Sequence, residues 1–159
     1  MFERFSRPAV RVLFWARAEA GRLGSEWIEP EHLLLGVLAE DQRDWMRAIP
    51  RFAGKRSIGF EADPTPAPAP FFNAECASKL RQILTASAGT PKLDAVDMSL
   101  AERSKQVLAA TAKRAEVGTI GLLHILWGLS DADNSVSAVL KSVGVTVDQI
   151  DNAIRSQQT

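Results

Sequence analysis

This sequence has almost no cysteine and no net charge. It has one cysteine, Cys76, and its 19 lysine and arginine residues are balanced by 19 aspartate and glutamate residues. A single cysteine cannot form an internal disulfide, and no Cys/His spacing around it indicates a zinc site. A chain without net charge has no overall field that would attract nucleic acid or an anionic membrane surface. We therefore expect no metal, no nucleic acid and no membrane as partners.

Long apolar runs are also missing, and we expect no signal peptide. The amino-terminal segment MFERFSRPAV is charged and contains no apolar core of the kind that a signal peptide needs. No run approaches the length that spans a bilayer. We therefore expect a soluble, cytoplasmic protein, and its 46% apolar content is sufficient for a real hydrophobic core.

Nucleotide-binding and nucleophile motifs are absent as well. The only Gly-Lys pair is Gly54-Lys55, and it lacks the upstream glycine and the following hydroxyl residue of a phosphate-binding loop. No serine stands in a recognisable nucleophile context, and neither does Cys76. We therefore expect no catalytic residue, no cofactor, and neither binding nor hydrolysis of ATP.

What the sequence does contain is an internal duplication. Residues 28–38 read IEPEHLLLGVL, and residues 120–129 read IGLLHILWGL. In each copy a histidine, His32 or His124, is followed four residues later by a glycine, and the two copies are offset by 92 residues. Such self-similarity predicts that the chain is built from two related halves.

The duplication extends upstream of both copies. An apolar stripe that begins at Phe5 is repeated from Leu100 at a constant offset of 95 residues. Because the offset falls from 95 to 92 between the paired helices, three residues are missing from the second inter-helix turn. We expect this turn to lie on the surface, where deletions are tolerated.

Helical periodicity governs the first half. Ser6 is predicted to cap a first helix that ends at Gly24, and Pro30 is predicted to lie in the first turn of the second helix. A short third helix is predicted over residues 42–49, because Pro50 would end it.

The rest of the first half contains a proline-rich loop. Residues 50–72 show no periodicity, and the TPAPAP stretch within them is typical of an extended polyproline spacer. Asn73 is then predicted to cap a fourth helix that ends near Gly89. The residues predicted to face inward from this helix are Cys76, Leu80, Ile83 and Leu84.

The second half repeats this order and ends with a helix capped by Thr146. Because no alternating strand pattern occurs anywhere, the predicted fold class is all-α, with two similar four-helix repeats packed about a pseudo-twofold axis. We expect a single domain over residues 1–159. Repeat one covers about 1–89, including the loop at 50–72, and repeat two covers about 98–159.

Four motifs together resemble a known family. They are MFERF at the start, Leu-Gly-x-x-x-Ile at residues 23–28, EHLLLGVL at residues 31–38, and VLKSVGVTVDQI at residues 139–150. They resemble the amino-terminal domain of the Clp unfoldases of the ClpC and ClpA type, here without the ATPase modules. In that family a double repeat precedes the ATPase modules and receives adaptor proteins and substrates. The sequence leaves open whether this chain is free-standing or part of a longer unfoldase.

The resemblance implies a non-catalytic interaction module that binds substrate peptides or adaptor proteins for a Clp-type unfoldase or protease. In some relatives the glutamate that corresponds to Glu31 helps to hold a phosphorylated arginine tag. The second copy has Leu123 at this position, so we expect at most one such site per chain. Trp27 and Glu29 lie beside Glu31 in the sequence and complete the predicted peptide-binding or phosphoarginine-binding site.

Other interpretations of these residues remain open. Glu31 could be an ordinary first-turn acid, which the helix dipole favours by about 0.3 to 1 kcal/mol. Glu29, Glu31 and His32 could serve a small metal-dependent enzyme, since Glu-x-x-His spacing occurs in di-iron bundles. Gly121 breaks this spacing before His124, which favours two histidines that satisfy backbone groups at helix starts. A structural subunit that docks on a Clp protease ring is the remaining alternative.

Overall fold

The computed structural model describes residues 3–43, 69–86, 89, 98–132 and 135–158. Over these residues the chain is all-helical, which confirms the predicted fold class. None of the described helices is long and apolar enough to cross a membrane. The seven helices are α1 (Arg7–Arg22), α2 (Pro30–Asp41), α3 (Ala74–Thr85), α4 (Glu102–Arg114), α5 (Leu122–Asp131), α6 (Ser135–Ser142) and α7 (Val147–Gln158).

The predicted helix caps are confirmed. The Ser6 hydroxyl accepts a hydrogen bond from the Ala9 N–H at 3.2 Å, and the Asn73 side chain accepts one from the Cys76 N–H at 2.7 Å. Thr146 caps α7 by accepting from the Gln149 N–H at 3.3 Å. These side chains satisfy backbone donors that the first turn of a helix leaves unpaired. Local sequence therefore sets where these helices begin.

Two predicted boundaries of the first half change. Residues 42 and 43 belong to the turn that closes α2, and the rest of the helix predicted at 42–49 lies outside the described residues, as does the loop up to residue 68. The end of that loop is part of the fold, because Phe72 is buried and the carboxylate of Asp41 accepts hydrogen bonds from the Phe71 and Phe72 N–H groups.

The fourth predicted helix, α3, is one turn shorter than predicted, ending at Thr85 rather than near Gly89. Its buried residues are Ala77 and Leu80, whereas Ile83 is exposed. The prediction that Ile83 faces inward was wrong. A stripe through Cys76 and a stripe through Ala77 both fit helical spacing, and packing against α2 and α6 buries the stripe through Ala77.

The two repeats use glycine to bring paired helices together. A Cβ atom placed on Gly36 of α2 would lie 2.3 Å from the Val12 carbonyl oxygen of α1. A Cβ atom placed on Gly128 of α5 would lie 2.3 Å from the hydroxyl of Thr111 and 2.9 Å from the carbonyl oxygen of Val107 in α4. Val107 is the residue that the 95-residue offset pairs with Val12. The duplicated glycines therefore mark the same close helix crossing in both repeats.

Backbone bridges between the repeats are reciprocal. Phe5 pairs in parallel with Ile120, and Ile28 pairs in parallel with Leu100. The 95-residue offset converts Phe5 into Leu100, and the 92-residue offset converts Ile28 into Ile120, so each bridge is the counterpart of the other in the duplication. Each bridge contains two backbone hydrogen bonds of 2.8 to 3.0 Å. This exchange is what a pseudo-twofold axis between the halves requires, and it places the start of α2 against the start of α4.

Candidate functional site

The predicted site residues lie at the amino-terminal end of α2, where repeat one meets repeat two. Glu29 is the N-cap of α2, and Glu31 lies in its first turn. The turn before them is fixed from the other repeat, since the Ser104 hydroxyl donates a 2.6 Å hydrogen bond to the Ile28 carbonyl oxygen. The site is therefore built on packed helix ends rather than on a free loop.

His32 caps the start of helix α2. Its Nδ1 atom accepts a 2.9 Å hydrogen bond from the backbone N–H of Glu29, and its ring is buried. Burial lowers the pKa of His32 from its ordinary value, although nearby carboxylates, above all Glu31, act in the opposite direction. A neutral ring keeps Nδ1 available as an acceptor, so burial and the cap support one another.

The second repeat has the same histidine cap. His124 Nδ1 accepts a 3.0 Å hydrogen bond from the Gly121 N–H, and burial lowers the pKa of His124 as well. The prediction that both histidines satisfy backbone groups at corresponding helix starts is confirmed. His32 is therefore a structural residue that supports the site from behind.

Side chains of repeat two contact both carboxylates. Arg103 of α4 donates from Nη2 to Glu29 Oε2 at 3.1 Å. Ser135 of α6 donates from its hydroxyl to Glu31 Oε1 at 2.5 Å. Among the described residues, Oε2 of Glu31 has no hydrogen-bond partner, and the Glu31 side chain is only half-buried. Glu31 thus has a fixed position and one oxygen that a ligand can use.

Trp27 lies in the turn that leads into α2. Its side chain is 50% exposed, and the Ser25 hydroxyl holds its backbone by donating to the Trp27 carbonyl oxygen at 2.7 Å. An exposed indole on a fixed turn can stack on a cation or anchor a peptide. Trp27, Glu29 and Glu31 lie within five consecutive residues at the start of α2, and we call these three residues the acidic site.

The corresponding position in repeat two has different chemistry. Leu123 replaces Glu31 and is only 5% exposed, and Gly121 replaces Glu29. A buried leucine offers neither charge nor hydrogen-bond acceptor to a ligand. The expectation of at most one acidic site per chain agrees with this burial.

A metal centre does not form from the candidate ligands. In the part of the chain that the structure describes, no group of three or more His, Cys, Asp or Glu side chains is placed to hold a metal ion. His32 uses Nδ1 for the helix cap, and Glu29 is paired with Arg103. The half-buried carboxylate of Glu31 is instead suited to a ligand cation, above all a guanidinium group with its planar donors.

Sequence reasoning missed Arg103 and Ser135. They lie 74 and 104 residues from the carboxylates that they contact, and only the packing of the repeats brings them near. The duplication does not reveal Arg103 either, because the 95-residue offset pairs it with Pro8. No local signal in the sequence could have found these contacts.

Comparison with known sequences gives several Clp proteins but no matching family model. An ATP-dependent Clp protease ATP-binding subunit, a ClpA homolog of Cyanidium caldarium, is 28% identical over 160 residues, covering 98% of this chain and 16% of the relative. The chaperone protein ClpB of Oceanobacillus iheyensis is 28% identical over 153 residues, covering 94% of this chain and 16% of the relative. This chain spans about one sixth of the length of these curated relatives.

Comparison with solved structures gives the same fold. The N-terminal domain of the chaperone ClpD from Arabidopsis thaliana matches with a TM-score of 0.66 and 22% identity, covering 100% of both chains. A chain from a structural study of a malarial protein secretion system matches with a TM-score of 0.66 and 17% identity, covering 97% of this chain and 94% of that one. Over nearly its whole length, therefore, this chain resembles the amino-terminal domain of Clp ATPase subunits in both sequence and fold.

Proposed function

We propose that this chain is a non-catalytic interaction module that receives substrate peptides or adaptor proteins for a Clp-type unfoldase or protease. The observation that carries the proposal is the acidic site, where one carboxylate oxygen of Glu31 has no hydrogen-bond partner among the described residues and Trp27, four residues earlier in the chain, is 50% exposed. The Clp-type fold supports a role within a Clp system.

The ligand that fits this site presents a guanidinium group. Glu31 Oε2 can accept from an arginine side chain, while the Trp27 indole offers an apolar face to the flanking peptide. Arg103 lies beside Glu29 and supplies a positive charge next to the carboxylates. This combination favours a ligand that carries both a cation and an anion, such as an arginine-phosphorylated peptide, over a plain arginine peptide.

The experiment compares two peptides and two variants. Binding of an arginine-phosphorylated peptide and of its unmodified twin is measured by calorimetry to wild type, to Glu31→Gln and to Glu102→Gln. Glu102 is a matched control because it is an exposed first-turn glutamate of the neighbouring helix α4. We expect Glu31→Gln to lose about tenfold in affinity, equivalent to about 1.4 kcal/mol, and the control to bind as wild type does.

Three results would reject the proposal. They are no binding of either peptide to wild type, a stoichiometry of two peptides per chain, or unchanged binding by Glu31→Gln. A structural subunit that only docks on a Clp ring would give the first of these results. Calorimetry also tests the proposal that the module is non-catalytic, because saturable ATP binding at micromolar affinity would contradict it.

A further inference from the structure

One charge in the first turn of α4 opposes the helix dipole. The amino-terminal end of a helix favours carboxylates, and the carboxyl-terminal end favours cations. Helix α4 follows this rule with Glu102 in its first turn and with Lys113 and Arg114 in its last turn. Arg103, the second residue of the helix, does not follow it. The stability of α4 therefore does not explain an arginine at this position.

The pairing of the two repeats does not require Arg103 either. The duplication places Pro8 at the position corresponding to Arg103 and Gly121 at the position corresponding to Glu29. The counterpart of this ion pair therefore cannot form, although both backbone bridges do. The side chains of Arg103 and Glu29 are 59% and 29% exposed, and ion pairs with this much solvent around them contribute little to stability. Arg103 is therefore a candidate for a role in ligand binding.

The guanidinium of Arg103 has donors that the fold does not use. It donates from Nη2 to Glu29 Oε2 at 3.1 Å. Its Nε and Nη1 groups make no hydrogen bond to any residue that the structure describes. The N–H groups of a guanidinium form a planar fork that matches two oxygens of a phosphate or a carboxylate. An anion of a ligand can therefore bind Arg103 while Glu29 stays paired with it.

Arg103 and the free oxygen of Glu31 are close enough to act on one ligand. Glu29, which holds Arg103, comes two residues before Glu31, and this separation is less than one helical turn, or about 5 Å, along α2. Burial lowers the pKa of His32 and both carboxylates oppose this shift, so both lie near the same ring. A phosphorylated arginine carries its phosphoryl group on the guanidinium itself, which places its cation and its anion within a comparable distance.

We propose that Arg103 is the specificity-determining residue of the acidic site and binds an anionic group that the ligand carries beside its guanidinium. This inference rests on the proposed function, because it assigns the selectivity of the same site. Glu31 accepts from the guanidinium of the ligand, and Arg103 donates to the anion. By neutralising Glu29, Arg103 also weakens the attraction of the site for an arginine without such an anion. Repeat one thus supplies the charge that binds the ligand, and repeat two supplies the charge that selects it.

Calorimetry with three peptides tests this assignment. The first peptide contains a phosphorylated arginine, the second is its unmodified twin, and the third has a glutamate directly after the unmodified arginine. We expect wild type to bind the first peptide at least about tenfold more tightly than the second. An advantage of the third peptide over the second that Arg103→Met abolishes would support the role of Arg103 with a carboxylate as the anion. The ionic strength is held constant, because salt screens exposed charges.

Variants of α4 locate the selectivity. Arg103→Met keeps an unbranched side chain but removes the charge, and it should lower the affinity for the first peptide at least about tenfold while raising the affinity for the second. Arg103→Lys retains the charge and should preserve the order of the two affinities. Lys105→Met is the matched control, because it removes an exposed cation that pairs with Glu102 of the same helix at 3.9 Å. It should keep the wild-type ratio of affinities.

Three results would overturn the inference. They are an unchanged ratio of the first two affinities in Arg103→Met, an equal loss of affinity for both peptides in that variant, and the same change of ratio in Lys105→Met. Each of them leaves the acidic site in place if Glu31→Gln still weakens binding. If no peptide binds wild type, the proposed function is rejected and this inference with it.

Discussion

The buried ion pair between α1 and α2 gives the sharpest test of how this fold is held together. Arg11 donates to Oε1 of Glu40 from Nε at 2.9 Å and from Nη2 at 2.6 Å. The two side chains are only 7% and 5% exposed. Repeat two has Gln106 and Ala132 at the corresponding positions, so the fold does not depend on an ion pair at this crossing.

The expected loss of stability follows from the burial of this ion pair. In Arg11→Met the carboxylate of Glu40 loses its cation, and its Oε2 atom already has no hydrogen-bond partner. Removing one partner of a buried pair costs about 3 to 5 kcal/mol, because the remaining charge stays out of water. Replacing both partners, as in Arg11→Met with Glu40→Leu, removes that charge and should recover most of the loss. For a chain of this size the single change lowers Tm by about 6 to 20 °C.

Urea unfolding of the wild type, the single variant and the double variant measures these differences. The control is Arg22→Met, which breaks an exposed pair with Glu19 of the same 2.6 Å length and should cost at most about 1 kcal/mol. A loss below about 1 kcal/mol in Arg11→Met, or a double variant as unstable as the single one, would refute the reasoning.

The remaining predictions concern packing, backbone strain and pH. Gly36→Ala should destabilise by about 3 kcal/mol in urea unfolding, because its Cβ would meet the Val12 carbonyl oxygen; a change within error would contradict the close crossing. Glu116→Gly should stabilise by about 1 kcal/mol, because Glu116 has a φ of 52°, and a thermal melt with no gain would count against strain there. Burial lowers the pKa of His32 and His124 below 6.5, so stability should be constant above that pH and fall as acidification passes the lowered values. Replacing both histidines by glutamine should flatten this dependence in urea unfolding, and an unaltered slope would assign it to other groups.

Local features of the sequence were sufficient to predict where helices α1, α3 and α7 begin. Ser6, Asn73 and Thr146 satisfy amide donors only a few residues away, so their capping role does not depend on the rest of the fold. The paired histidines were interpretable for the same reason, since each accepts from a backbone N–H three residues before it. The duplication then predicted that the two halves pair, because similar sequences in similar surroundings pack in the same way.

Other features required the tertiary structure. Periodicity alone allows two neighbouring stripes on α3, and the surface it packs against decided that Ala77 is buried and Ile83 exposed. Arg11 is one of several arginines on α1, and its burial follows from the position of Glu40 on the next helix. Arg103 and Ser135 reach the acidic site only because the repeats exchange backbone bridges. Periodicity and capping act within one helical turn, whereas these contacts depend on distances between helices that no local pattern encodes.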